Sequence, residues 1–330
     1  MTKLKLTIAT ADGDRVRPIV DGRVQVEGCD VNYILNTPEE LFARVAYGGA
    51  PEVSEIGLLT CLVGTSRGSF PYVPLPVFLS RTFRHSAIYI RTDRGIGSPE
   101  DLRGKVVGVP EWQMGAAMWA RGLIVDEYGV KLDEMQWKQG GLIHPGRHEK
   151  YQTNFPDGFP IEAIGSEQTL DDMIRAGELD AIFTARTPPT YFDDEVPVRR
   201  LFENYPEEER AYYQRTGIYP IMHCLGVRAD VHERYPWVAP ALYKAYLHAN
   251  RMSQESLFDT SSLKVSLPWV VEAAEEARAL FGDDIWPYGV EANRVTLDAL
   301  TRYSVDQHMA VRRVEPEELF PRSVLEEAKH

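Results

Sequence analysis

A chain of 330 residues that is 44% hydrophobic and 26% charged can support two separately cored lobes, and its composition excludes a disordered or repeat protein. A formal net charge of −13 opposes binding to nucleic acid or to an anionic membrane surface, and no apolar run is long enough to span a bilayer. Cys29, Cys61 and Cys224 are odd in number and widely spaced, which argues against a disulfide framework or a zinc knuckle and for the reducing cytoplasm.

Residues Lys3 to Thr10 alternate polar and apolar like a strand, without the apolar core and cleavage site of a secretion signal. The loop behind that strand carries Asp14, Arg15 and Arg17 before Pro18. Thr37, Pro38 and Glu40 supply an N-cap, an N1 proline and a capping-box glutamate, opening a helix that Gly48-Gly49 stops. Ser54 to Gly57 ends a short strand and brings Glu55 to its carboxyl end. Phe83 to Ile90 sets Arg84 and His85 at the mouth of an apolar strand, and Ile218 to His223 does the same with a second imidazole. Between them, Arg103 to Pro110 is a strand running into a helix from about Gln113 to Glu127. Glu111, Trp112, Gln113 and Met114 open that helix, where an acidic residue suits the dipole and the first-turn amides offer an anion site. Thr169 to Asp172 caps another helix closed by Gly177, and the strand Leu179 to Thr184 ends at Ala185-Arg186. Pro236 to Leu257 and Pro268 to Phe281 are amphipathic helices.

Alternating strands and helices predict an α/β protein with open, mostly parallel sheets, whose ligands bind beyond the carboxyl ends of strands. Arg15, Glu55, His85, Glu111 and Arg186 all fall at such ends. Each also has a plain reading: Arg15 and Arg17 as loop residues, Glu111 as a dipole partner, His223 as a hydrogen-bonded core histidine. His144 and His148 flank a polar loop and read as solvated, and Trp286-Pro287-Tyr288 reads as a packed corner. GxGxxG, Walker A and HExxH motifs are absent, so no organic cofactor is expected. No ligand pair has a metal spacing, so no metal residues are assigned, although histidines and carboxylates leave a bound ion open.

Several short words now combine. Phe83 to Ile90, Pro110-Glu111-Trp112-Gln113-Met114, Arg121-Gly122 with Asp126 to Val130, Thr184-Ala185-Arg186 and Arg215 to His223 together resemble the 4,5-dihydroxyphthalate decarboxylase family. Asp21 to Val24 and Ser54-Glu55 fit as well, so the likeness runs over nearly the whole chain. Gly140 to Arg147 departs from the family, which is acidic before the proline. The resemblance implies a two-lobed type II periplasmic-binding-protein-like fold with a ligand cleft between lobes joined by two crossover strands. One lobe would hold residues 1–87 and 225–330, the other 88–224. It also implies conversion of 4,5-dihydroxyphthalate to protocatechuate and carbon dioxide without an organic cofactor.

That chemistry needs cations for a spectator carboxylate, a base for a phenol and an acid aimed at the ring carbon. Arg15, Arg17, Arg84 and Arg186 are the candidate clamps, by forked hydrogen bonds, with Glu111, Trp112, Gln113 and Met114 as further substrate contacts. Glu55 or Asp14 is the candidate base, and His85 or His223 the candidate acid. The expected partner is a small aromatic acid, with neither nucleic acid nor membrane, and a homo-oligomer is compatible with the sequence. The competing class is a non-catalytic solute-binding or sensor protein for a small aromatic or carboxylate anion on the same fold.

Overall fold

The computed structural model describes residues 2–47 and 51–327, so the expected helix stop at Gly48-Gly49 lies outside the described residues. Eleven strands are described: β1 (Leu4–Thr10), β2 (Cys29–Leu35), β3 (Val53–Gly57), β4 (Tyr72–Arg81), β5 (Ile88–Arg91), β6 (Val106–Val109), β7 (Gln136–Gln139), β8 (Ile161–Ala163), β9 (Ala181–Phe183), β10 (Val198–Arg200) and β11 (Ile221–Arg228). They form a five-stranded sheet in the order β2-β1-β3-β11-β4 and a six-stranded sheet in the order β10-β5-β9-β6-β7-β8. The chain leaves the first sheet after β4 and returns in β11, so two adjacent strands of one sheet carry both crossings. Pairing within the first sheet begins at Ile221, ahead of the expected lobe boundary at 225.

Both sheets are mixed rather than mostly parallel. β1 pairs with β2 and β3 in parallel, and so does β6 with β7 and β9, but β11 is antiparallel to β3 and β4, and β5 to β9 and β10. A strand arriving from the other lobe enters its sheet from the opposite end, which reverses its direction. Helix signals in the sequence are met: Thr37 and Glu40 exchange hydrogen bonds at the start of Pro38–Tyr47, and Thr169 Oγ1 accepts the Asp172 amide at 3.1 Å, with Gly177 at φ 76° closing Leu170–Ala176. The segment Phe83 to Ile90 differs. His85–Ala87 is a 3-10 turn and only Ile88–Arg91 is strand.

The helix Arg294–Asp306 and the turn behind it join the lobes. Gln307 Oε1 accepts the Arg121 Nε–H at 2.8 Å, its carbonyl accepts the Trp112 indole at 2.7 Å, and its Nε2 donates to the Met118 carbonyl at 3.0 Å. Arg121 is fully buried and lies 3.8 Å over the Trp112 ring, so both side chains belong to the core of the Gly115–Tyr128 helix. In the same contact the Tyr303 ring covers Gly122 and donates its hydroxyl to Asp126. A Cβ at position 122 would overlap that ring.

Replacing a helical glycine by alanine ordinarily stabilises by about 1 kcal/mol. Here overpacking against a ring fixed by Asp126 and Trp119 should outweigh that gain, so Gly122→Ala is expected to lower stability by a net of about 1–2 kcal/mol in urea unfolding. A variant as stable as the wild type would show that the two helices yield at this contact.

Candidate functional site

Between the sheets lies a cleft of about 200 Å³. Pro38, Phe42, Gly57, Thr60 and His223 line it from the first lobe; Glu111, Gln113, Met114, Gly115, Ala116 and Ala185 line it from the second, with Arg84 from the crossover and Arg147 and Lys150 from a loop. A larger hollow of about 340 Å³ lies between Gly115–Tyr128 and Arg294–Asp306. Its Asp126 is committed to Arg302 and Tyr303, so size alone does not mark the site.

The antiparallel register of β3 and β11 sets the first functional pair. His223 lies opposite Gly57 and Leu225 opposite Glu55, which places the Glu55 and His223 side chains diagonally on one face. Glu55 Oε1 is 2.7 Å from His223 Nδ1, and Oε2 accepts the Ala11 amide at 2.8 Å. Glu55 is 2% exposed. Burial pushes its carboxyl up, but His223, the Ala11 amide and the Arg15 guanidinium outweigh burial and hold it below the ordinary carboxylate value. The carboxylate fixes the ring through Nδ1, so Nε2 is the nitrogen left to exchange a proton with a ligand. Phe42 packs edge-on against the same imidazole, with centroids 4.8 Å apart.

Arg84 supplies the opposite charge. It lines the cleft, its buried Nε has no hydrogen-bond partner, and burial pushes the guanidinium down to about 10 against the pull of Glu209. Next to it the Gly115–Tyr128 helix opens on the cleft with Gly115 and Ala116 on the lining and no side chain capping its first turn. A half-buried forked cation beside uncapped amides makes an anion site. The amides just before that helix are already taken. Glu149 accepts from Trp112 and Gln113 backbone N–H groups and from Gln139 Nε2 at 2.8 Å. Burial pushes the Glu149 carboxyl up to about 7, with those amides pulling it down and Glu111 adding to the rise.

The remaining candidates separate. Glu111, Gln113 and Met114 reach the cleft, Glu111 paired with Arg147 and Gln113 donating Nε2 to the Tyr151 carbonyl at 2.7 Å. Trp112 does not; its ring is core, spent on Arg121 and Gln307. Asp14 is exposed, accepts from the Arg15 amide and guanidinium, and is not among the cleft-lining residues. Arg15 donates to the Leu79 carbonyl and stacks on Trp286 at 4.5 Å, acting on Glu55 only through its field. Arg17 pairs with Asp12 on the surface. Arg186 is exposed beyond Ala185 and is not among the cleft-lining residues. Glu149, Arg147 and Lys150 had no sequence signal, because they sit in a loop without periodicity. Among the described residues no group of three or more His, Cys, Asp or Glu side chains is placed to hold a metal ion, and no helix is long and apolar enough to cross a membrane.

His85 lies away from the cleft. It is 2% exposed, wedged edge-on between Phe202 and Tyr212, and absent from the cleft lining. Burial, helped by Arg215, pushes its imidazole down to about 4; Glu209, 4.0 Å away, is itself pushed up to about 7 by burial. The unfolded chain takes a proton on His85 below about pH 6.5 that the folded protein refuses, so this share of stability is complete above that value and is lost as pH falls towards 4. Glu209 works in the opposite sense over an overlapping window, so the comparison of wild type with His85→Leu isolates the histidine. The wild type is expected to lose up to about 3 kcal/mol more than the variant between pH 6.5 and 4 in urea unfolding. Equal pH slopes would show that His85 is accessible to protons when folded.

No family model matches the chain. A 4,5-dihydroxyphthalate decarboxylase of Comamonas testosteroni is 39% identical over 329 residues, covering 100% of both chains. A 4,5-dihydroxyphthalate decarboxylase of Pseudomonas putida is 40% identical over 204 residues, 62% of this chain and 79% of that one. Among solved structures, a variant of the desulfurization enzyme DszB in complex with biphenyl-2-sulfinic acid aligns with TM-score 0.56 and 11% identity, covering 99% and 100% of the two chains. A periplasmic sulfonate-binding protein SsuA from Methylobacillus flagellatus aligns with TM-score 0.54 and 12% identity over 99% and 96%. Those two likenesses concern the fold, which serves an enzyme and a binding protein alike. With its two-lobed type II periplasmic-binding-protein-like fold and a relative matched from end to end, the chain belongs to the 4,5-dihydroxyphthalate decarboxylase family.

Proposed function

We propose that this protein is a carboxy-lyase that converts 4,5-dihydroxyphthalate to protocatechuate and carbon dioxide. The observation that carries the reading is the His223–Glu55 pair facing a cleft that also holds Arg84, a half-buried guanidinium whose buried Nε is unpartnered. A binding protein needs the cation but has no use for an imidazole held by a buried carboxylate.

Direct loss of carbon dioxide from an aryl carboxylate would leave an unstabilised ring anion. Each carboxylate of the substrate is para to a hydroxyl, whose oxygen pushes electron density onto the carbon that bears it. In the proposed step Nε2 of protonated His223 gives its proton to that carbon, and the buried Glu55 carboxylate stabilises the imidazolium beforehand. The carbon–carbon bond then breaks, its electron pair restores the aromatic ring, and neutral carbon dioxide leaves. One proton is consumed and no electron acceptor is required, so the reading includes no organic cofactor. Arg84 and the amides at Gly115 and Ala116 hold the spectator carboxylate. Both Glu55 oxygens are engaged, by His223 and Ala11, which makes Glu55 a partner of the acid rather than a base for the phenol. A cytoplasmic location fits the three unpaired, buried cysteines.

Purified protein is expected to release one carbon dioxide per 4,5-dihydroxyphthalate without added nicotinamide, flavin, pyridoxal phosphate or thiamine diphosphate; activity only after such an addition contradicts the reading. His223→Asn should keep affinity for phthalate and cut turnover by about 100-fold or more, the scale of general acid catalysis. Arg84→Leu should instead weaken phthalate binding by about 1.5–3 kcal/mol in calorimetry. Near wild-type turnover in the first variant, or unchanged affinity in the second, would remove that residue from its role.

A further inference from the structure

The connection between β7 and β8 is unusual for its type. These strands are parallel neighbours, paired Trp137 to Ile161 and Gln139 to Ala163, and such neighbours are ordinarily joined through a helix. Residues 140–160 contain neither helix nor strand. Ordered connections of this length without secondary structure are characteristically functional. This one crosses the cleft. On the second lobe Glu149 occupies the amides of Trp112 and Gln113, and the Tyr151 carbonyl accepts from Gln113 Nε2. On the first lobe the Gln152 carbonyl accepts from Arg67, whose guanidinium also lies 5.9 Å from the Tyr151 ring centroid.

Lys150 sits between these anchors. Its backbone is therefore placed by Glu149 on one side and by Tyr151 and Gln152 on the other, while its side chain is exposed and lines the cleft. Its ammonium is 5.2 Å from the centroid of Phe42, the ring that packs edge-on against His223. Among the described residues no carboxylate pairs with Lys150, whereas Arg147 beside it is committed to Glu111.

We propose that Lys150 is the specificity residue that reads the second carboxylate of the substrate. The inference rests on the reading of the cleft as an aromatic dicarboxylate site. An ortho dicarboxylate brings two negative charges, and among the described residues the cleft offers two cations not held by a carboxylate: half-buried Arg84 and exposed Lys150. The difference between them suits the chemistry. The carboxylate that stays should be gripped firmly, but a strong grip on the one that leaves would stabilise the ground state and oppose its conversion to carbon dioxide. A lysine on a flexible, solvated stem recognises that group weakly and releases it. The product lacks this carboxylate, loses the Lys150 contact and is held only by Arg84 and the amides of the helix start.

The test is calorimetry of full-length protein with two unreactive probes, phthalate and benzoate. The wild type should prefer phthalate. Lys150→Met should weaken phthalate by about 10- to 100-fold and leave benzoate within about twofold, and Lys150→Arg should retain the preference. A Lys150→Met protein that keeps the wild-type ratio of the two affinities overturns the assignment, and so does one that loses both ligands equally, since that is the mark of a structural role. Failure of the wild type to bind phthalate at all overturns the underlying reading of the cleft instead.

Discussion

A carboxylate buried to 2% exposure must be answered by hydrogen bonds and opposite charge, or it would give up its charge. Glu55 is answered twice, by the Ala11 amide at the end of β1 and by His223 on β11. Those two bonds tie the functional face to three adjacent strands of the first sheet. A shift of β11 by one residue would turn His223 away from the cleft and leave Glu55 without its second partner. The returning crossover therefore carries the chemistry as well as the chain, and its antiparallel direction is what brings residue 223 diagonal to residue 55.

The crossover between the lobes contributes charge of the other sign. An acidic protein that takes a dianion needs local cations strong enough to overcome its own field, and partial burial helps Arg84 become one: its Nε is shielded from water and has no partner. The adjacent helix start adds uncapped amides. The amides just before that helix are taken by Glu149, whose carboxyl burial pushes up to about 7. That internal carboxylate fixes the strap across the cleft, and the strap brings Lys150 to the rim. Recognition and chemistry thus come from different elements, and closing the lobes around a ligand would shed water from the departing carboxylate.

Much of this was legible along the chain where a local rule operates. The capped helices starting at Pro38 and Leu170, the strand that ends near Glu55 and the apolar strand that carries His223 all follow from caps, periodicity or turn residues. Glu55, Arg84 and His223 were singled out because they sit at strand ends in chemically useful types. What failed was any inference that required a distant partner. The apparent symmetry of His85 and His223 dissolves because Phe202 and Tyr212, far along the chain, enclose the first imidazole, whereas Glu55, 168 residues away, engages the second. Trp112 opens a helix in the sequence like a ligand contact and is instead buried under Arg121. Asp14 and Arg17 meet their own neighbours in the loop. Glu149 and Lys150 lie in a stretch without periodicity, and only the packing of that stretch across both lobes reveals them.

The central claim is that one imidazole, held by Glu55, meets the ligand and the other does not. Nitrogen NMR of the histidine rings in uniformly labelled protein, recorded with and without phthalate, addresses it directly. The account predicts a His223 ring protonated at Nδ1 whose Nε2 resonance moves on phthalate binding, with His85 neutral and unmoved. A response at His85 with His223 unchanged would contradict it.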